Sequence, residues 1–130
     1  MPPDLPPPVL EVFYSPSCVP CRLELPAVAE MAGRKGTEVR IIILDQEDRA
    51  RAELRAVSRG LDSIASPPGP APPGDVLRGA GNERGILPYA RSVTGEGEIC
   101  ATWLGGLTVA RAKSLLAACA RLISPRRSRS

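Results

Sequence analysis

The chain has 130 residues, of which 43% are hydrophobic and 24% charged, a size and balance that suit one domain with a single core. Its net charge of +3 comes from the last ten residues, where Arg121, Arg126, Arg127 and Arg129 stand without an acid; in the rest, 13 basic residues face 14 acidic ones, so a nucleic-acid-binding domain is not indicated. The absence of histidine removes Cys–His catalysis and histidine-ligated zinc, and cysteines at 18, 21, 100 and 119 do not make the two close pairs of a zinc ribbon.

The first eight residues, Met-Pro-Pro-Asp-Leu-Pro-Pro-Pro, read as an extended lead-in. They carry neither the basic nor the apolar stretch of an export signal, so the expectation is a cytoplasmic protein as the sequence stands, or a periplasmic or exported one if an N-terminal signal has been omitted. No run of 18 apolar residues suggests a membrane-spanning helix. Val9–Ser15 is expected to form a strand that runs into Cys18-Val-Pro-Cys21 and then a helix over Cys18–Arg34, ended near Gly33 and Gly36. Cys21, Leu25, Val28, Ala29 and Ala32 share one helical face, which must pack on a sheet. Cys21 should therefore be sheltered, and Cys18, a turn earlier, exposed. Pro20 is tolerated in the first turn, whereas Pro26 lies inside the helix, frees the carbonyl of Arg22 and should kink it.

Glu38–Leu44, β-branched and nearly continuous, reads as a strand covered on both faces. Strand, helix and strand with a short return imply a parallel right-handed crossover. Glu47–Gly60 reads as a covering helix with Ala50, Leu54, Val57 and Leu61 as its apolar stripe. Residues 61–84 are expected to be a Pro/Gly-rich loop insertion, either a spacer or a substrate-facing loop, with one short helical turn at Asp75–Ala80. Tyr89–Val93 and Glu98–Leu104 read as a hairpin around Thr94-Gly-Glu-Gly97. A last helix, Thr108–Ile123, capped by Thr108 and ended by Ser124-Pro125, carries Ala112, Leu115, Leu116, Cys119 and Leu122 as its stripe. The domain thus spans 9–123, with a basic tail at 124–130. Its architecture is α/β: a βαβ unit plus ββα, with a central four-stranded mixed sheet flanked by helices.

Two cysteines three residues apart can cycle between dithiol and disulfide. The thiolate is the nucleophile, and free N–H groups at a helix start favour it. A Cys-x-x-Cys between a strand and a helix is a redox signature. Phe13-Tyr14, Cys18-Val-Pro-Cys21 and Pro26 resemble the thioredoxin superfamily, and Cys-x-Pro-Cys-Arg-x-Glu-x-Pro its TlpA-like branch of thiol–disulfide oxidoreductases. Gly85-Ile-Leu-Pro88 and the stretch from Gly95 to Leu107 resemble that family's cis-proline strand, hairpin and final strand, with Gly105 after it. The resemblance covers about residues 9–45 and 85–123 and implies a minimal thioredoxin fold. It implies Cys18 as the nucleophile, Cys21 as the resolving thiol and a cis bond at Leu87-Pro88 beside an extended substrate. It also pulls toward an exported protein, against the visible N-terminus.

Glu24, three residues past Cys21, is suited in the TlpA-like pattern to taking the Cys21 proton; its other reading is a solvated helix glutamate. Thioredoxin's buried strand aspartate is replaced by Val12, and Glu11 should point to the opposite face. Cys18, Cys21 and Glu24 are thus the candidate catalytic residues, and Leu87, Pro88, Tyr14 and Pro20 the candidate substrate-binding ones. The Cys18–Cys21 disulfide is the redox group, with no other cofactor. Cys100 and Cys119 are expected to be buried, inert thiols, with a second disulfide open if the last helix crosses the final strand. The expected function is exchange of protein disulfides by a monomer, with a protein thiol or disulfide as substrate and a separate redox partner. The competing reading is a binding module that grips an extended partner at the Leu87-Pro88 edge without turnover.

Overall fold

The computed structural model describes residues 6–128, with side chains described as far as Leu122. Met1–Leu5 of the lead-in, Arg129 of the basic tail and the side chains of Arg126 and Arg127 lie outside the described residues. The elements are β1 (Val9–Tyr14), α1 (Val19–Leu23), α2 (Leu25–Ala32), β2 (Glu38–Ile43), α3 (Glu47–Val57), a 3-10 turn (Leu61–Ile64), β3 (Ala65–Ser66), α4 (Pro73–Gly79), β4 (Tyr89–Val93), β5 (Ile99–Leu104) and α5 (Val109–Ser128).

The strands form one mixed sheet in the order β3-β2-β1-β4-β5. β1 runs parallel to β2, with Val12 opposite Ile41, and antiparallel to β4, with Phe13 opposite Tyr89. All six residues of β1 are buried, as the central strand of a sheet covered on both faces requires. Alternation then assigns its side chains to two cores. Leu10, Val12 and Tyr14 join Leu25, Val28 and Met31 of α2, Ala50 and Leu54 of α3, and Ala112 and Leu115 of α5. Phe13 packs on the other side with Leu44, Leu77, Ala80 and Tyr89.

Several elements depart from the sequence expectation. The sheet has five strands rather than four, because Ala65–Ser66 pairs parallel to Ile41 and Ile42. Two residues show no periodicity; the strand is held there by Arg51, whose guanidinium donates to the carbonyls of Asp62 and Ala65. Within residues 61–84 the expected helical turn at Asp75–Ala80 is present but longer, as the helix α4 over Pro73–Gly79. Pro72 precedes α4 and Pro73 opens it, in the first helical turn, where a proline costs no intrahelical hydrogen bond. α4 then buries Leu77 against Phe13's side of the sheet. β2 alternates exposed and buried residues over most of its length, since Arg40 faces solvent on the side away from the main core. α3 ends at Val57, which is exposed, while Leu61 reaches the core from the 3-10 turn. α5 continues through Ser124-Pro125, because a proline removes one helical hydrogen bond without having to end the helix. Among the described residues no helix is long and apolar enough to cross a membrane.

Candidate active site

β1 delivers the chain to a tight turn over Ser15–Ser17, where the Ser15 hydroxyl donates to the Asp45 carboxylate at 2.7 Å. The N–H groups of Ser17 and Cys18 donate back to Ser15, to its hydroxyl oxygen and its carbonyl respectively. Gln46, in the left-handed region at φ 49°, donates from its amide to the Ser17 hydroxyl at 2.9 Å. The ends of β1 and β2 thereby brace the turn from below. Cys18 leaves it with extended backbone as the N-cap of α1, and its Sγ accepts the Cys21 N–H at 3.2 Å. Cys18 and Cys21 form a disulfide across 5.2 Å between Cα atoms. Cys21 is 0% exposed, as the helix phase predicts, whereas Cys18, expected to be exposed, is half-buried.

The expected kink at Pro26 is a full break. Pro26 has no N–H for the Arg22 carbonyl; the Glu24 N–H turns to that carbonyl and to Pro20's instead, closing α1, and α2 starts at Leu25. Glu24 therefore stands at the joint of two helices, one turn beyond Cys21. It is 6% exposed rather than solvated. Its Oε2 accepts the Leu107 N–H at 2.7 Å, and its Oε1 is buried with no hydrogen-bond partner. Burial pushes its pKa up to about 7, against a smaller lowering by the Leu107 hydrogen bond.

The Leu87–Pro88 bond is cis. Since Tyr89 opens β4 opposite Phe13, Pro88 precedes it at the end of the sheet where β1 hands the chain to Cys18. The Pro88 carbonyl accepts the Gly105 N–H at 2.9 Å. Gly105 lies at φ +143°, a backbone conformation that residues with a side chain rarely adopt, which explains a glycine at this turn. Around these groups Val19, Pro20, Leu23 and Ile86 are exposed, while Leu87 and Pro88 are half-buried.

Tyr14, by contrast, presents no surface to a substrate: it is 0% exposed and its hydroxyl donates to Glu53. Burial and that carboxylate push its pKa upward, so it stays a donor. The error has a simple origin: Tyr14 shares a face with Leu10 and Val12, so the strand's own alternation points it into the main core. Val12 is 0% exposed and apolar, leaving no strand carboxylate on that face, and Glu11 lies on the other, paired with Arg91 at 2.7 Å and Arg40 at 3.2 Å. Cys100 and Cys119 are not free thiols: they form a disulfide between β5 and α5, whose packing brings their Cα atoms to 5.0 Å. Sequence reasoning did not find Leu107, because a backbone donor carries no side-chain signature; Gly105-Gly106 marks only that the chain turns there.

No family model matches this chain, and no curated protein does. Solved structures do. A thioredoxin-related protein from Neisseria meningitidis serogroup B is 23% identical with a TM-score of 0.66, covering 88% of this chain and 86% of that one. MTB DsbF, in its mixed oxidised and reduced forms, gives a TM-score of 0.65 at 17% identity over 86% of this chain and 80% of its own. A thiol:disulfide interchange protein from Bacteroides sp. gives 0.62 at 21% identity over 83% and 70%. These likenesses establish a thioredoxin-like fold, in agreement with the resemblance in the sequence.

Proposed function

We propose that this protein is a thiol–disulfide oxidoreductase of the TlpA-like kind, exchanging disulfides with protein substrates through Cys18 and Cys21. The observation that carries this reading is the Cys18–Cys21 disulfide itself, with Cys18 half-buried at a helix start and Cys21 sealed in the core. That the structural neighbours include thiol:disulfide interchange proteins supports it.

In the reducing direction the Cys18 thiolate attacks a substrate disulfide, forming a mixed disulfide and expelling one substrate thiolate. Cys21 then loses its proton to Glu24, and its thiolate attacks the Cys18 sulfur. The mixed disulfide breaks, the second substrate thiolate leaves, and Cys18–Cys21 is restored. Two electrons pass from the protein's dithiol to the substrate, and a separate redox partner returns them. The Cys21 N–H, already directed at the Cys18 sulfur, supports the thiolate when the pair is reduced. Burial, a pKa near neutrality and an oxygen without a hydrogen-bond partner support this role for Glu24. Leu87, Pro88 and Pro20 offer the surface against which an extended substrate segment lies.

Reduction of insulin disulfides by dithiothreitol, followed by precipitation of the B chain, tests the reading. The protein should accelerate precipitation, and Cys18→Ser should remove the acceleration. A wild-type protein that binds insulin but does not speed its reduction would establish the non-catalytic binding module instead.

A further inference from the structure

The Cys100–Cys119 disulfide has no part in the exchange just described, yet the loop that it closes carries two of the site's backbone donors. One limb is β5 and the other the first half of α5. At the apex, Gly105 donates to the Pro88 carbonyl at 2.9 Å and Leu107 to Glu24 Oε2 at 2.7 Å, while the Thr108 hydroxyl accepts the Arg111 N–H at 3.1 Å. Near that apex, Arg111 lies 3.8 Å over the Trp103 ring, joining the limbs a second time.

The β5 limb needs such joining. It is the edge strand, paired to β4 alone, and none of its six residues is fully buried. Its pairing also shifts register at Ser92/Val93, next to where Cys100 lies. A strand with little buried surface and one hydrogen-bonded neighbour opens readily. Cys119, in contrast, is 0% exposed on the face of α5 that packs with the core. The disulfide therefore fastens the least anchored strand to a well-anchored helix.

We propose that the Cys100–Cys119 disulfide is a positioning element for exchange at Cys18–Cys21, holding the Gly105–Leu107 turn so that the Leu107 N–H stays on Glu24 and water stays off its free oxygen. This rests on the reading of Glu24 as the acceptor of the Cys21 proton. Cys100 and Cys119 touch no reacting atom; they act through the turn between them.

The test compares the full-length protein with the Cys100→Ala/Cys119→Ala variant. It measures amide hydrogen exchange at Leu107 and Gly105 against Leu10 and Val12 of β1, and the titration of the Glu24 carboxyl by carbon NMR. Without the disulfide, exchange at Leu107 and Gly105 should quicken on the order of tenfold more than at β1. Glu24 should titrate at lower pH as water reaches it, since burial is the larger cause of its raised pKa. Equal acceleration everywhere, with Glu24 titrating as in the wild type, would reduce the disulfide to a general staple and overturn the proposal. Should the double variant not fold, Cys100→Ala alone keeps the Cys119 sulfur in the core and takes the same measurements. Glu24→Gln separates the two claims. If that variant keeps the wild-type pH profile of substrate release, the reading of Glu24 fails. If it abolishes the profile while Leu107 exchange is indifferent to the disulfide, only the positioning role fails.

Discussion

A carboxyl group with one oxygen on an N–H and the other facing nothing is costly to ionise, and Glu24 is such a group. Its pKa in the folded protein, about 7, stands above its ordinary 4.5, so the folded state holds the proton more tightly than the unfolded chain. Glu24's contribution to stability is therefore greatest below pH 4.5 and is lost as the pH rises through 7. The loss amounts to about 3 kcal/mol. Chemical denaturation of wild type and Glu24→Gln across that range should show the wild type losing stability with rising pH while the glutamine variant stays flat. Parallel curves would mean that Glu24 is not strained in this way. The same group governs rate. Release of a substrate from its mixed disulfide should quicken as Glu24 ionises near pH 7, and Glu24→Gln should slow it by on the order of 100-fold, the weight of a positioned base. At this scale the sequence is legible where a residue's spacing determines its place: Cys21 is sealed as its helix phase requires. It is not legible where a partner is a backbone group 83 residues away, as Leu107 is for Glu24.

Among the elements, α4 shows how composition can mislead. The nine residues from Ser66 to Gly74, all Pro, Gly, Ser or Ala, look like a spacer, yet two of those prolines mark a helix start. The helix that follows puts Leu77, 2% exposed, against Phe13, Leu44 and Tyr89. Leu77→Ala should cost about 2–4 kcal/mol in urea denaturation, as for other buried leucines. A loss within experimental error would return residues 73–79 to the status of a loop. The pairing of Cys100 with Cys119 could only be left open from sequence, since it depends on how α5 crosses β5 and not on either element alone. Closing a loop with a sequence separation of 19 should contribute about 3 kcal/mol, so the Cys100→Ala/Cys119→Ala variant should unfold at correspondingly lower denaturant. The break between α1 and α2 could be read from Pro26, although its consequence, a glutamate at the joint, emerges only from packing.

Across the whole molecule, one sheet end gathers what the chain holds far apart. The central strand β1 leads to Cys18, antiparallel β4 begins after Pro88 at the same end, and the β5–α5 turn closes over Glu24. The βαβ and ββα halves were legible because each is built from contacts between neighbours in sequence. The fifth strand and the second core were not, because both draw on the middle of the chain, where the apolar pattern is weak. The central claim is that the half-buried Cys18 attacks and the sealed Cys21 resolves, and trapping the mixed disulfide tests it most directly. Reduced Cys21→Ser and Cys18→Ser proteins would be incubated with a disulfide-bonded protein substrate and analysed by mass spectrometry without reductant. The account predicts a stable adduct through Cys18 in Cys21→Ser and none in Cys18→Ser. An adduct through Cys21 in Cys18→Ser, with none in Cys21→Ser, would contradict it.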